Sequence, residues 1–249
     1  ENKFTAGDLN INLPGEYELQ KIGSTGGSFY TSTNWKITFY AQAKEGKLVS
    51  LLEIFDTNAS SDWMSNYIKQ ALFKQDYNSG CNEPNSKYKQ YFQVLKTNRV
   101  IQCVSVKILN YKEKIYSPDI NSIDKMVGFT TARKRIVGKF INENNLEVLD
   151  KMLRSEHFLY RKKREGGLTW VFFTDLNPDN LTEEQIDHHI INAIDMHKGF
   201  ENDLKLKPKY KIDFSEFTEA KVKAKVKAKA KAKAKAKAKA KAKAKAKAE

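Results

Sequence analysis

Three of the chain's four histidines fall close together behind Asp187, at His188, His189 and His197, and the fourth, His157, follows Glu156. Imidazoles titrate near neutrality, so they are the side chains first suited to moving a proton or holding a divalent metal. His189 and His197 are eight residues apart, which on a helix of about 100° per residue leaves them roughly on one face. The inward positions between them are isoleucine and alanine, and no His-Glu-x-x-His pairing occurs. The pattern predicts no metal centre and no cofactor. His157 stands alone in a strand-like stretch and reads as a half-buried or surface histidine. If the chain is an enzyme, His157, His188 and His197 are the titratable groups to replace first, but no catalytic residue is assigned.

Other chemistry-bearing patterns read as structure. The stretch Gly23, Ser24, Thr25, Gly26, Gly27, Ser28 could cradle a phosphate, yet it lacks the Gly-Lys-Ser/Thr ending of a phosphate-binding loop and opens no helix. It reads as a flexible hairpin loop. No Gly-x-Ser-x-Gly elbow is present. Glu183 and Glu184 fall in the first turn of an expected helix, where the helix dipole favours carboxylates. The basic runs Arg133 to Arg135 and Arg161 to Arg164, with Phe158 and Tyr160 nearby, could contact phosphates and stack bases. They equally fit a solvated helix face and a hairpin tip.

The strongest pattern is the C-terminal run from Lys221 to Glu249, in which every odd position through Lys247 is lysine and the others are alanine apart from Val222 and Val226. Its 14 lysines and one glutamate hold +13 of the chain's +14 net charge. The first 220 residues are therefore nearly neutral, with 30 basic against 29 acidic side chains. Lysines two apart spread around the whole surface of a helix, and alanines on one face of a strand offer little to bury. Alanine and lysine both favour helix, while like charges four apart oppose it by a few tenths of a kcal/mol per pair. The run is expected to be a disordered or marginally helical tail that gains helix when an anion neutralises it. Lys221, Lys223, Lys225, Lys227, Lys229 and Lys231 begin its polyanion-binding stretch.

The elements that must position any site are legible as alternation and helical spacing. Tyr17 to Ile22, Trp35 to Gln42 and Leu48 to Phe55 read as strands, the last two joined through Gly46, and Leu48 to Phe55 is apolar on both faces as a covered central strand would be. A helix capped by Ser60, Ser61 or Asp62 carries Trp63, Met64, Tyr67, Ile68, Ala71 and Leu72 inward. After a polar loop through Asn78, Gly80 and Pro84, a second hairpin pairs Tyr88 to Leu95 with Val100 to Leu109. A helix then turns Ala132, Ile136, Val137, Phe140 and Ile141 inward and Arg133, Lys134, Arg135 and Lys139 outward, with Asn144 and Asn145 as stops. A third hairpin joins Leu153 to Arg164 and Leu168 to Thr174, and a last helix starts at Thr182, with Gln185 in the capping-box position. The fold class is α+β, an antiparallel sheet built from hairpins with two to four packed helices. Residues 1–14 are expected as an N-terminal extension, 15–207 as the globular domain, 208–220 as a linker and 221–249 as the tail.

The order of elements, the spacing of Cys81 and Cys103, and the stretch Arg135 to Glu147 with its Asn-Asn-Leu-Glu ending resemble small uncharacterised exported bacterial α+β proteins over residues 15 to 180. That resemblance implies a periplasmic or secreted setting and no activity; the alternative is the cytoplasm. The tail is similar in composition to the Lys/Ala-rich extensions of histone H1-like bacterial DNA-binding proteins, although it lacks their proline. The chain opens on Glu1 rather than methionine, which fits a removed leader or a trimmed start. No apolar run of about 18 residues is present to span a membrane. The function expected is an exported, non-enzymatic binding protein whose tail adheres to phospholipid or acidic polysaccharide. The alternative is a nucleic-acid-associated protein using the tail for non-specific phosphate binding, and a hydrolase-like enzyme without a recognisable motif is the third reading.

The chain has two cysteines, Cys81 and Cys103, outside any Cys-x-x-Cys pair. They read as a disulfide pinning the Gly80 loop to a strand, contributing about 3 kcal/mol in the chain-entropy model, or else as two unrelated thiols. Denaturing alkylation of unreduced protein should leave both sulfurs unmodified by intact mass, and two alkylated thiols would remove the bridge.

Overall fold

The structure, a computed structural model, describes residues 3–6, 9–13, 17–29, 33–57, 88–94, 100–110, 128–148, 151–161, 167–175 and 182–215. The expected helix around Trp63, the loop through Gly80 with Cys81, and the lysine run lie outside the described residues. Nine strands and two α-helices are described: β1 (Lys3–Ala6), β2 (Leu9–Asn12), β3 (Gln20–Phe29), β4 (Thr33–Lys44), β5 (Lys47–Thr57), β6 (Tyr88–Val94), β7 (Val100–Asn110), α1 (Phe129–Glu143), β8 (Lys151–Arg161), β9 (Gly167–Asp175) and α2 (Glu183–Asp203).

Seven strands form one sheet in the order β3-β4-β5-β9-β8-β7-β6, each neighbour antiparallel. The fold is the α+β class that the alternation predicts. The three expected hairpins are present as β4-β5, β6-β7 and β8-β9. The two-residue turn of β4-β5, Glu45-Gly46, has both residues at positive φ, 52° and 72°, and at Gly46 no Cβ opposes that conformation. The chain runs inward from one edge through β5, then inward from the other edge from β6 to β9, and the two runs meet where β9 pairs β5.

Both faces of the sheet are covered. On one, α1 packs Ala132, Val137 and Ile141 against Ile37, Phe39, Leu51, Phe55, Met152 and Phe158. Gly23 of β3 lies so close to α1 that a Cβ there would come within 2.7 Å of Ile136. On the other face α2 packs Ile186, Ile190, Ala193 and Ile194 over Val104, Val106 and Leu153. The β1-β2 hairpin lies beside it, with Phe4, Leu9 and Ile11 in one cluster with Leu52, Leu159, Phe173 and Phe200. The first residues therefore belong to the core instead of extending from it. The same holds for the segment after α2: Tyr210, Ile212 and Phe214 are each about 7% exposed.

Two further expectations are corrected. The glycine-rich stretch Gly23 to Ser28 is not a loop; it continues β3 in register with β4, because pairing of its backbone outweighs the weak strand propensity of its residues. Arg133 is not on the solvated face of α1. It is 2% exposed, and its Nε donates to Glu53 Oε1 at 2.5 Å. The face is buried because β5 brings a carboxylate under it, and a charge taken out of water survives only with a partner.

Cys103, at the middle of β7, is fully buried and disulfide-bonded. The asparagine stop of α1 is present as Asn145 at φ 49°, with Leu146 N donating to Ile141 O at 3.0 Å. The capping box of α2 is also present: Gln185 N donates to Thr182 Oγ1 at 3.2 Å and Thr182 N to Gln185 Oε1 at 2.9 Å.

The Glu53–Arg133 pair gives a direct test. Arg133→Met should lower stability by about 3–5 kcal/mol in urea unfolding, because Glu53 stays buried without its cation, and adding Glu53→Leu should recover most of the loss. A loss below about 1 kcal/mol in the single variant would show that the pair does not bear on the fold.

Candidate functional site

Strand β8 carries Arg154, Ser155, Glu156 and His157 in succession between apolar ends, and all four are buried. Alternation sends Arg154 and Glu156 to the α1 face, the side of Met152 and Phe158, and Ser155 and His157 to the α2 face, the side of Leu153 and Leu159. On the α1 face Glu156 Oε2 lies 3.3 Å from Lys107 Nζ of β7, with 1% and 4% of the two side chains exposed, respectively.

On the α2 face His157 sits between Val104 of β7 and Val171 of β9 in the register of the sheet. Helix α2 lies over it, and the three- and four-residue spacing of Ala193, His197, Phe200 and Glu201 turns that set inward. His157 Nδ1 and His197 Nδ1 are 3.3 Å apart, and His197 Nε2 is 3.1 Å from Gln102 Oε1. Gln102 Nε2 donates to Tyr210 O at 2.6 Å, and Glu201 Oε1 accepts from Ile212 N at 2.7 Å. A buried polar string thus runs from the centre of the sheet to the segment that follows α2.

The string fixes its own tautomers. Gln102 uses its amide nitrogen on Tyr210 O, so its oxygen accepts from His197 Nε2–H. Neutral His197 then has Nδ1 bare, so His157 donates from Nδ1–H. His157 Nε2 remains as an acceptor with no partner among the described residues. An added proton is doubly unwelcome: it buries a charge, and on His197 Nδ1 it would set two donors against each other. Burial holds His197 down to about 3 and His189 to about 4, with His188 adding to the latter. His157 is lowered by burial and then by His197 and His189.

The candidate histidines divide accordingly. His157 and His197 meet at the centre of the α2 interface, while His188 is exposed beside Asn192, 3.2 Å away. The expectation of a half-buried or surface His157 is corrected to full burial, because β8 is covered on both faces. His189 is buried and stacks on Phe173 at 6.1 Å between ring centroids. Among the described residues no group of three or more His, Cys, Asp or Glu side chains is placed to hold a metal ion. Gln102 and Glu201 were not singled out by sequence; the clue was a glutamine among the apolar residues Val100 to Val104 and a glutamate in step with His197.

The string ends at an open cleft of about 370 Å³ lined by Lys198, Glu201, Asn202, Lys211, Ile212, Phe214 and Ser215. Burial raises the Glu201 pKa above its usual value, against lowering by its hydrogen bonds and by Lys211 and Lys198. The rim cations are engaged locally, Lys211 Nζ with Asn202 Oδ1 at 2.6 Å and Lys198 Nζ with Asp195 Oδ1 at 3.3 Å. A larger cleft of about 580 Å³ lies over β3, β4 and β5, at Ser24, Thr25, Gly26, Asn34, Trp35, Lys36, Asp56 and Thr57. Its glycine belongs to a paired strand, so backbone N–H groups do not converge there as they do in a phosphate-binding loop. Phe158 and Tyr160, the aromatics beside the second basic run, are fully buried and offer no face to a base.

Stability should fall in acid. The unfolded chain titrates its histidines near 6.5, whereas the fold keeps His157, His189 and His197 neutral, so below pH 6.5 the unfolded state binds more protons. Each histidine costs about 1.4 kcal/mol per pH unit until its folded value is reached. Glu201, with a raised pKa, works in the opposite sense, gaining stability as pH falls through its folded value. The histidines prevail by number. Urea unfolding between pH 6 and 5 should show the loss, and His189→Leu should reduce its slope by about one third; an unchanged slope would mean that His189 is not held neutral.

No family model matches the chain, and neither a curated protein nor a solved structure matches it.

Proposed function

We propose that the chain is an exported, non-enzymatic binding protein: a folded α+β body that fastens a polycationic segment to anionic envelope surfaces such as phospholipid. The observation that carries this reading is the lysine run, with +13 of a net +14 charge placed in residues 221–249. Its only other side chains are alanine, two valines and one glutamate. Such a segment recognises charge density and nothing finer, since it has no arginine fork for a base edge and no aromatic ring to stack on one. Each lysine near an anionic bilayer contributes about 1 kcal/mol, so engagement of a minority of them holds the protein at the surface. The body fits the reading in that the basic side chain of Arg133 is used internally, while Lys211 and Lys198 at the smaller cleft are engaged by Asn202 and Asp195.

Full-length protein should sediment with vesicles containing phosphatidylserine at low salt and not with neutral phosphatidylcholine vesicles. Removal of residues 221–249 should abolish sedimentation, and its persistence would overturn the reading. Duplex DNA is the competing target. About ten engaged lysines would give a slope near −9 in log affinity against log salt, and tighter binding to DNA than to anionic vesicles at equal salt would replace the envelope reading with the nucleic-acid one.

A further inference from the structure

Several ties hold the segment from Leu206 to Ser215 to the body in and beside the polar string. Its Tyr210 carbonyl accepts from Gln102, its Ile212 amide donates to Glu201, and its Phe214 ring meets His197 edge-on at 6.1 Å. Lys211 adds an exposed bond to Asn202. The segment leaves α2 through Lys205 at φ 50°, a left-handed conformation that a lysine adopts at some cost, with Leu206 N closing the helix on Glu201 O at 3.0 Å. Only Tyr210, Ile212 and Phe214 anchor it by burial.

From this arrangement we propose that residues 206–215 form an acid-released strap, which leaves α2 and β7 when His197 takes up a proton, before the rest of the chain unfolds. The geometry makes His197 the trigger. Its Nε2 is committed to Gln102, the same side chain that holds the Tyr210 carbonyl, and its ring lies against Phe214. Lifting the strap removes that ring and takes the Tyr210 carbonyl from Gln102, freeing Gln102 to leave His197 and admitting water to the Nε2 edge of the imidazole. His157 is deeper, at the sheet, and Phe200 also contacts it edge-on at 5.5 Å.

The titratable and charged groups around the pair are His189, Lys198 and Glu201 from α2 and Tyr210 and Lys211 from the strap. Strands β7 and β9 present neutral side chains there, Gln102 and Val104 from one and Val171 and Phe173 from the other. Of these groups only Glu201 opposes the release in the acid range, since its proton is held more tightly in the closed strap. In the closed state His197 stays neutral to about pH 3, whereas a solvated imidazole takes its proton near 6.5. One proton is therefore taken up on opening, and the opening constant rises about tenfold per pH unit below 6.5, less what Glu201 offsets.

Amide hydrogen exchange on the full-length protein, read by mass spectrometry and corrected for intrinsic rates, tests this between pH 7.5 and 5.5. Peptides over residues 205–215 should lose about tenfold in protection, with less protection at every pH than the peptides of α1, which packs on the opposite face of the sheet. In His197→Gln, whose amide can still donate to Gln102, that loss should disappear. Strap and α1 peptides sharing one opening free energy at each pH would mean that the strap leaves only on global unfolding, and would overturn the proposal. So would a pH-dependent loss that persists in the variant. If the variant does not fold, the wild-type comparison of strap with α1 decides alone.

Discussion

The sheet is covered on both faces, and most of what is distinctive here follows from that constraint. Along the covered middle of β5, β7 and β8 a side chain has no solvent to turn to, so a polar group there needs a partner inside. Glu53 has Arg133, Glu156 has Lys107, and His157 has His197. The two helices are placed by the same requirement. Helix α1 supplies a guanidinium to one face and α2 an imidazole to the other, so each is docked by a polar pair as well as by its apolar stripe. An apolar stripe alone tolerates sliding and rotation; a buried ion pair or a directed imidazole bond does not, which fits the use of such groups to specify one arrangement.

The two faces solve the problem with different chemistry and acquire different sensitivities. The α1 face uses buried ion pairs, Glu53 with Arg133 and Glu156 with Lys107. The α2 face uses neutral imidazoles and an amide, joined in one direction from His157 Nδ1 to the Tyr210 carbonyl. A proton added to such a string is a charge taken out of water, so this face carries the cost of acid. The segment that closes over this face also precedes the lysine run in sequence.

Much of this architecture was legible in residue order. Alternation in Trp35 to Gln42, the Glu45-Gly46 turn, the three-and-four spacing in α1 and α2, and the Thr182–Gln185 box each depend on contacts within a few residues, and each is present. The placement of His157 was not legible. A strand reading Met-Leu-Arg-Ser-Glu-His-Phe-Leu-Tyr shows no alternation, because alternation records a difference between two faces and here both are buried. Arg133 failed for a related reason: among Arg133, Lys134 and Arg135 the helical period gives an angle, and only the position of β5 decides which cation is covered.

The sequence by itself determined the class of fold, the hairpins, the helix ends and the concentration of charge in residues 221–249, since propensity, periodicity and formal charge are local properties. Tertiary structure alone decided the strand order that joins β9 to β5, the inclusion of the first residues in the core, the pairing of Glu53 with Arg133, and the meeting of His157, His197, Gln102 and Glu201. The pairs His157–His197, Glu53–Arg133 and Gln102–His197 join residues 40, 80 and 95 positions apart, and the β5–β9 pairs lie farther apart still. At such separations chain connectivity imposes almost no preference, and which side chains meet is settled by how two faces of one sheet are covered.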